Sequence, residues 1–315
     1  MKRRVIGIAS TLVGASLWGL SGTCSQFLLA NYAISSLFIT MVRMLGAGVL
    51  FLAVLLVRSR AQLGEALRDP WSRRRFVLFG VAGLYLCQLT YVIAIGHTNA
   101  GTATVLQSLN IVIILIVTCV TVPRLPRKLE VAGLVLAFVA TVLIATQGDL
   151  SGLHMPPLGL FWGLAAAVTA AIYLLLPRPL YPKWGSFMTV GLGMLVGGVA
   201  AAIVWALAFV MPGIDAVASG GNVLGSALVP LLDAKGVGAL AVIAVVGTFA
   251  AFFLFLHGLS IIGAVQGSQL GAMEPVSATV LSAVLMGTAF SPFDWAGLIL
   301  MVATIVLVAA GGSSE

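Results

Sequence analysis

Ten apolar runs, each about the 20 residues that one helix needs to cross a hydrocarbon core, divide this 315-residue chain into two sets of five. The first five are Val5–Leu29, Ile34–Val57, Phe76–Ile95, Thr102–Thr121 and Val131–Thr146. The second five are Leu158–Leu176, Phe187–Val210, Val237–Leu256, Ala264–Met286 and Trp295–Ala310. An odd number of crossings per set places the second set upside down relative to the first. The expected fold is an all-α polytopic membrane protein of ten transmembrane helices in two inverted five-helix repeats. Residues 1–147 form one repeat, 148–157 a linker and 158–315 the other. Facing inverted repeats commonly build secondary transporters, with the substrate site where the halves meet.

The duplication is visible within the one chain. Trp18-Gly19 in the first run recurs as Trp162-Gly163 in the sixth, a shift of 144 residues. A shift of 164 lays Ala132-Gly133-Leu134 on Ala296-Gly297-Leu298. It also matches Leu136, Val142, Leu143, Ala145 and Gly148 with Leu300, Val306, Leu307, Ala309 and Gly312. The two shifts differ because residues are inserted between runs, mainly in the long loop 211–235 before the eighth.

Composition narrows the function classes. Hydrophobic residues make up 61% and charged residues 8%, against roughly 45–50% and 25% in soluble domains, which excludes an ordinary soluble enzyme. Cys24, Cys87 and Cys119 all lie in apolar runs, with no disulfide framework and no metal-ligand spacing. No metal and no cofactor is expected. The net charge of +7 sits almost wholly in alternate loops: Lys2, Arg3 and Arg4; Arg58 through Arg75; Arg124, Arg127 and Lys128; Arg178 and Lys183. The other loops hold only Lys235 as a cation. By the positive-inside rule both termini are cytoplasmic, in a plasma (inner) membrane. The arginines thus set orientation, and no nucleic-acid partner is expected. The basic start resembles a signal peptide, but its apolar run continues to Ala30, so it reads as an uncleaved first helix. Glycines inside the runs, such as Gly80, Gly83, Gly197 and Gly198, are expected to let helices approach closely. The oligomer is left open between a monomer and a homodimer.

Two ionisable groups of fixed sign lie deep in apolar runs: Arg43 in the second and Glu274 in the ninth. An unpaired charge there costs several kcal/mol, so each is a functional candidate by default. Glu274 is the expected cavity-lining and proton-coupling carboxylate. Pro275 follows it and removes a backbone hydrogen bond from the helix. Arg43 is a candidate for an anionic substrate group or a partner for Glu274. The uncharged candidates are Gln88, flanked at three residues by Tyr85 and Tyr91, and Gln107 with Asn110, also three apart. Asn110 falls opposite Glu274 at the 164 shift. Trp18 and Trp162 are expected either to present aromatic faces to a solute or to serve as packing landmarks. His97 and His257, near run ends, read as interfacial.

These marks together resemble the drug/metabolite transporter superfamily, in its ten-helix EamA-type members. The resemblance rests on Trp18-Gly19, Trp162-Gly163, Arg43, Glu274-Pro275-Val276 and the Ala-Gly-Leu openings of the fifth and tenth runs, and it covers about 300 residues. It implies a central cavity lined by the third, fourth, eighth and ninth helices among others, and alternating access. Members commonly carry Gly-Glu at the ends of the fourth and ninth helices. Here those places read Pro123-Arg124 and Gly287-Thr288, and the usual proline after the Asn110 position is Ile111.

The leading expectation is a secondary carrier of a small metabolite, amino acid or drug-like solute. No G-x-x-x-x-G-K-[ST] motif for ATP is present. A second expectation is a flippase-like carrier of a lipid-linked anion held by Arg43. A membrane-embedded lipid-modifying enzyme has neither H-E-x-x-H nor G-x-S-x-G to support it.

Overall fold

A computed structural model describes residues 2–32, 34–121, 125–149, 152–211, 213–214, 216 and 231–312. Pro123-Arg124 and most of the 211–235 loop lie outside the described residues. Ten segments are long and apolar enough to cross a membrane. The first half contains α1 (Lys2–Asn31), α2 (Ser36–Arg58), the short α3 (Arg60–Arg68), α4 (Pro70–His97), α5 (Ala100–Gln107), α6 (Asn110–Thr121) and α7 (Lys128–Thr146). The second contains α8 (Pro157–Leu175), α9 (Tyr181–Ala208), α10 (Ala234–Ile262), α11 (Ala264–Gly271), α12 (Met273–Met286) and α13 (Pro292–Gly312). The fourth and ninth crossings are each a broken pair, α5/α6 and α11/α12.

Local chemistry sets the starts. Side chains of Ser35, Asp69, Asn99 and Asp233 each accept a first-turn N–H, capping α2, α4, α5 and α10. Inside the apolar helices, hydroxyls bond back to carbonyls four residues earlier, as from Thr11 to Gly7 (2.9 Å) and from Thr40 to Ser36 (2.8 Å). Each such hydroxyl is thereby satisfied without water.

The third crossing begins earlier than its apolar run. The run opens at Phe76, yet α4 starts at Pro70 and carries Arg73, Arg74 and Arg75 in its opening turns. The Asp69 cap followed by proline at the first helical position is a strong start, and it overrides low hydropathy. The preceding cationic stretch is also helical: α3 buries Leu63 and Ala66.

The 164 shift holds well beyond the residues that reveal it in sequence. It carries the start of α5 (Ala100) to the start of α11 (Ala264), the Ser108 cap to the Ala272 cap, and Lys128 of α7 to Pro292 of α13. Within α4, residues Phe79–Tyr85 form a π-helical stretch. Its counterpart in α10 is the π-helical stretch Val242–Ala250.

Packing follows the same duplication. α1 lies on α10 and α12 of the opposite half, and α8 lies on α4, α5 and α6. α2 crosses α9, and α7 crosses α13. Both latter crossings are reciprocal. A Cβ on Gly48 would sit 2.9 Å from Leu195 N, and one on Gly198 would sit 2.8 Å from Leu45 N. In α7 and α13, Gly133 faces Val308 and Gly297 faces Ile144, two contacts related by the 164 shift. Without a hydrophobic drive between helices in lipid, such close approach is the main source of association.

One departure from symmetry matters. At the face opposite the N-terminus, α5 packs directly on α12. At the N-terminal face, α6 and α11 form no comparable packed pair among the described residues. α5 buries every residue from Ala100 to Leu106, whereas α6 buries only Leu115. The bundle is sealed at the far face and splayed at the near one.

The two halves are also tied at the near face. Lys183 Nζ donates to Asp69 Oδ2 at 2.6 Å, Ser72 Oγ donates to the same oxygen at 2.5 Å, and Trp184 Nε1 donates to Ser72 Oγ at 2.8 Å.

Gly198→Val is expected to destabilise the α2–α9 crossing by about 1–3 kcal/mol, because the atoms it meets are backbone. Gly64→Ala, with nothing within 4 Å of its Cβ, is expected to leave the thermal midpoint in detergent unchanged or slightly raised. A second expectation concerns acid. The hydrogen bonds from Lys183 and Ser72 hold the Asp69 carboxyl down to about 2, from an ordinary 3.8. A lowered carboxylate pKa contributes stability that is complete above the ordinary value and disappears as pH falls through the folded one. Thermal midpoints should therefore drop between pH 4 and about 2 in the parent. Asp69→Asn should be less stable at pH 7 and lose this part of the acid dependence.

Candidate functional site

The first helix of each half is brought to the broken helix of the other half by its Trp-Gly pair. A Cβ on Gly19 would lie 2.6 Å from Ala278 N and 3.0 Å from the Glu274 carbonyl, so α1 meets α12 backbone to backbone. A Cβ on Gly163 would lie 3.0 Å from Leu106 Cβ, so α8 meets α5 at the Leu106 side chain rather than at backbone. At Gly19 the neighbours are backbone, which only glycine accommodates, and this approach sets the depth of Glu274 in the bundle.

Glu274 is the second residue of α12, just past the break at Ala272. Pro275 has no N–H to continue a ladder from the Gly271 carbonyl, which agrees with the break. The Glu274 side chain is half-buried, and its carboxylate makes no hydrogen bond or ion pair among the described residues. Only its backbone carbonyl is engaged, accepting from Ser277 Oγ at 3.0 Å.

Arg43 of α2 is 3% exposed. Nη2 donates a long hydrogen bond to Ser21 Oγ (3.3 Å), while Nε and Nη1 are buried without a partner among the described residues. Arg43 and Glu274 interact electrostatically, yet no ion pair within 4.0 Å joins them. A buried guanidinium with two orphaned donors is costly unless something further neutralises it. The chain therefore keeps opposite charges from its two halves near each other and unpaired.

The surroundings come from both halves. Tyr91 and Cys87 of α4, one helical turn apart, lie within electrostatic range of both groups. Tyr173 of α8 packs on Phe79 and Phe252 and lies within electrostatic range of Glu274 and Cys87. The Tyr91 hydroxyl shares a 2.7 Å hydrogen bond with Thr104 Oγ1 on α5. Gln107 Nε2 points at Cys87 Sγ at 3.6 Å, and Asn110 Nδ2 donates to the Gln107 carbonyl at 2.9 Å. That last bond satisfies a carbonyl freed at the break between α5 and α6.

The residues expected from sequence fall into three groups. Glu274, Arg43 and Gln107 belong to the polar centre. Asn110 sits two residues past the α5 cap as Glu274 sits two past the α11 cap, but no hydrogen bond joins the two among the described residues. Gln88 is buried on α4, with no hydrogen bond among the described residues. Trp18 and Tyr85 pack into an apolar cluster with Met44, Phe51, Phe79 and Phe252. The Trp18 ring lies 4.8 Å from Phe252 and 4.6 Å from Phe255, so its faces are occupied by aromatic neighbours. Trp162 goes elsewhere. It borders an apolar cavity of about 580 Å³ lined also by Leu37, Leu89, Ile93 and Val204, in which neither charge takes part.

Sequence reasoning missed Ser21, Cys87, Tyr91, Thr104 and Tyr173 as members of the centre. Tyr91 stood out only as a neighbour of Gln88, and Cys87 read as a packing residue. One signal was available: Cys87 and Tyr91 lie four apart on one face of α4, whereas Gln88 lies to the side of it.

Comparison with known proteins agrees with this architecture. The sequence profile of the EamA-like transporter family matches residues 5–146 and again 157–310. The "Uncharacterized inner membrane transporter YicL" of Salmonella typhimurium is 30% identical over 302 residues, covering 96% of this chain and 94% of that protein. The "Uncharacterized transporter YwfM" of Bacillus subtilis is 32% identical over 80 residues, 25% of this chain and 27% of its own. A solved crystal structure covers 100% of this chain and 99% of its own with a TM-score of 0.62 at 17% identity, a likeness of fold alone. With one family's profile covering both halves and a full-length relative of the same kind, the protein belongs to the EamA-like transporter family and is a multi-pass membrane transporter.

Proposed function

We propose that the protein moves a small polar or amphipathic solute by alternating access, through a chamber bordered by Arg43 and Glu274. The observation that carries this reading is the pair of opposite charges, one from each half, held at mid-bundle depth without an ion pair. Glu274 is accessible and uncommitted, which suits a cationic group or an exchanged proton. Arg43 keeps two free donors for an anionic group. Tyr91, Tyr173 and Gln107 supply polar and aromatic edges for the remainder of a solute. The splayed α6 and α11 give this chamber an approach from the N-terminal face, and the packed α5 and α12 close the opposite one.

Orientation follows from the cation-rich loops. The termini and the Asp69–Lys183 tie lie on the cytoplasmic side, so the described conformation faces inward. The driving force is a gradient, either of protons through Glu274 or of the solute itself. A second reading, a carrier of a lipid-linked anion, is favoured by one observation: the orphaned Nε and Nη1 of Arg43.

Substitution separates the two readings. Glu274→Gln is expected to lower transport of a cationic solute by about tenfold or more and to spare an anionic one; Arg43→Gln should do the reverse. The assay is flux into proteoliposomes across a panel of cationic, zwitterionic and anionic metabolites, at pH values between 5 and 8 for the best solute. Cationic flux that survives Glu274→Gln without pH dependence would remove Glu274 from both roles.

A further inference from the structure

Outside the charged centre, one polar cluster crosses three helices, and it lies at the sealed face. Gln26 of α1 accepts at Oε1 from Ala100 N (2.9 Å) and from Ser282 Oγ (2.6 Å), and its Nε2 donates to Thr288 Oγ1 (2.8 Å). Ser282 Oγ and Thr288 Oγ1 are themselves 2.9 Å apart. With the Ser282 proton given to Gln26, Thr288 must be the donor between the two hydroxyls. The bonds then run in one direction around a closed ring: Gln26 amide to Thr288, Thr288 to Ser282, Ser282 back to the Gln26 carbonyl. Such a ring strengthens each of its members.

The anchor points are those that must separate if this face opens. Ala100 N is a first-turn donor of α5 with no acceptor inside its helix. Ser282 lies near the end of α12, and Thr288 follows it. Just inside the ring, a Cβ on Gly101 would stand 2.9 Å from Thr279 Cα, so α5 and α12 touch directly there. A single amide on α1 therefore bridges the two half-helices whose contact closes the chamber.

Among the described residues the symmetry-related positions at the other face form no such ring. The counterpart of Gln26 at the 144 shift is Ala170, a methyl group. The counterpart of Ser282 at the 164 shift is Thr118, whose hydroxyl bonds its own Ile114 carbonyl at 2.7 Å. The α2–α9 and α7–α13 crossings are reciprocal, but the polar seal is not duplicated among the described residues.

We propose that Gln26 is a gate residue, the latch that keeps the face opposite the N-terminus shut and so sets which side the chamber faces at rest. This rests on the alternating-access reading, deepening it by naming the residue that governs reorientation. The ring breaks when α5 and α12 part, and its loss favours the state open to that face.

The test is labelling of a cysteine in the chamber. Gln107→Cys is made in a chain with Cys24, Cys87 and Cys119 replaced by serine, and a membrane-impermeant maleimide is applied to each face of oriented vesicles separately. The parent should label from the N-terminal face only. Gln26→Ala should raise labelling from the far face about fivefold or more. Ser282→Ala and Thr288→Val, which break the same ring from the other side, should act in the same direction. Should Gln26→Ala fail to fold, Thr288→Val decides. Far-face labelling that stays at the parent's level in the folded variants, or a parent that labels equally from both faces, overturns the latch. Labelling needs no solute, so a latch that opens as expected in a protein that moves no solute counts against the carrier reading alone.

Discussion

The structure depends on two close approaches at glycine, Gly19 of α1 against the α12 backbone and Gly163 of α8 against the Leu106 side chain of α5. Lipid is as apolar as the side chains, so burying leucine against leucine contributes little to association. Close approach remains, and here each half uses it to grip the broken helix of the other. Neither half can therefore position its own break alone. Glu274 reaches mid-bundle depth because α1 from the first half holds α12. The Leu106–Gln107 end of α5 is held by α8 from the second. The polar centre is a property of the assembled pair.

The charges show what that assembly withstands. Arg43 is almost fully buried with one long hydrogen bond from its guanidinium, and Glu274 stands near it without closing an ion pair. Pairing them would lower the cost of both charges and at the same time occupy the groups a solute would use. Trp18 packs against Phe252 and Phe255, and the Tyr91–Thr104 hydrogen bond fixes α4 to α5. The near-face tie through Asp69, Lys183 and Trp184 joins the halves again, away from the centre.

Much of the fold was legible in the sequence because a bilayer imposes a length and a polarity on every crossing. Arg43 and Glu274 were legible for the same reason, since fixed charges in apolar runs are rare. The 164 shift, found from a few residues in the fifth and tenth runs, also predicted more than was read from it: the breaks at Ser108 and Ala272 and the two π stretches obey it. Partners were not legible. Gln26, Ser282 and Thr288 meet across more than 250 residues, and helical spacing gives a face without saying what lies opposite. The Gln107–Asn110 pair shows the converse, a three-residue spacing that resolves into a local bond at a helix break. Trp18 and Trp162, equivalent in sequence, differ in surroundings because one packs against aromatics and the other borders an apolar cavity.

The two π stretches carry a consequence for how this chain tolerates change in length. Each holds its turn wider than an α-helix, in effect lodging an additional residue in α4 and in α10. Everything beyond such a stretch is rotated by about 100° relative to a regular helix. In α4 that rotation decides whether Cys87 and Tyr91 or their neighbours meet α5 and the centre. A one-residue deletion at Phe79–Tyr85 would let the helix relax to ordinary winding while keeping that face in register. The same deletion a turn later would swing a different row of side chains inward. Loss of a residue is thus absorbed within the stretch and disruptive just outside it, a mark by which such stretches can arise from insertions and persist.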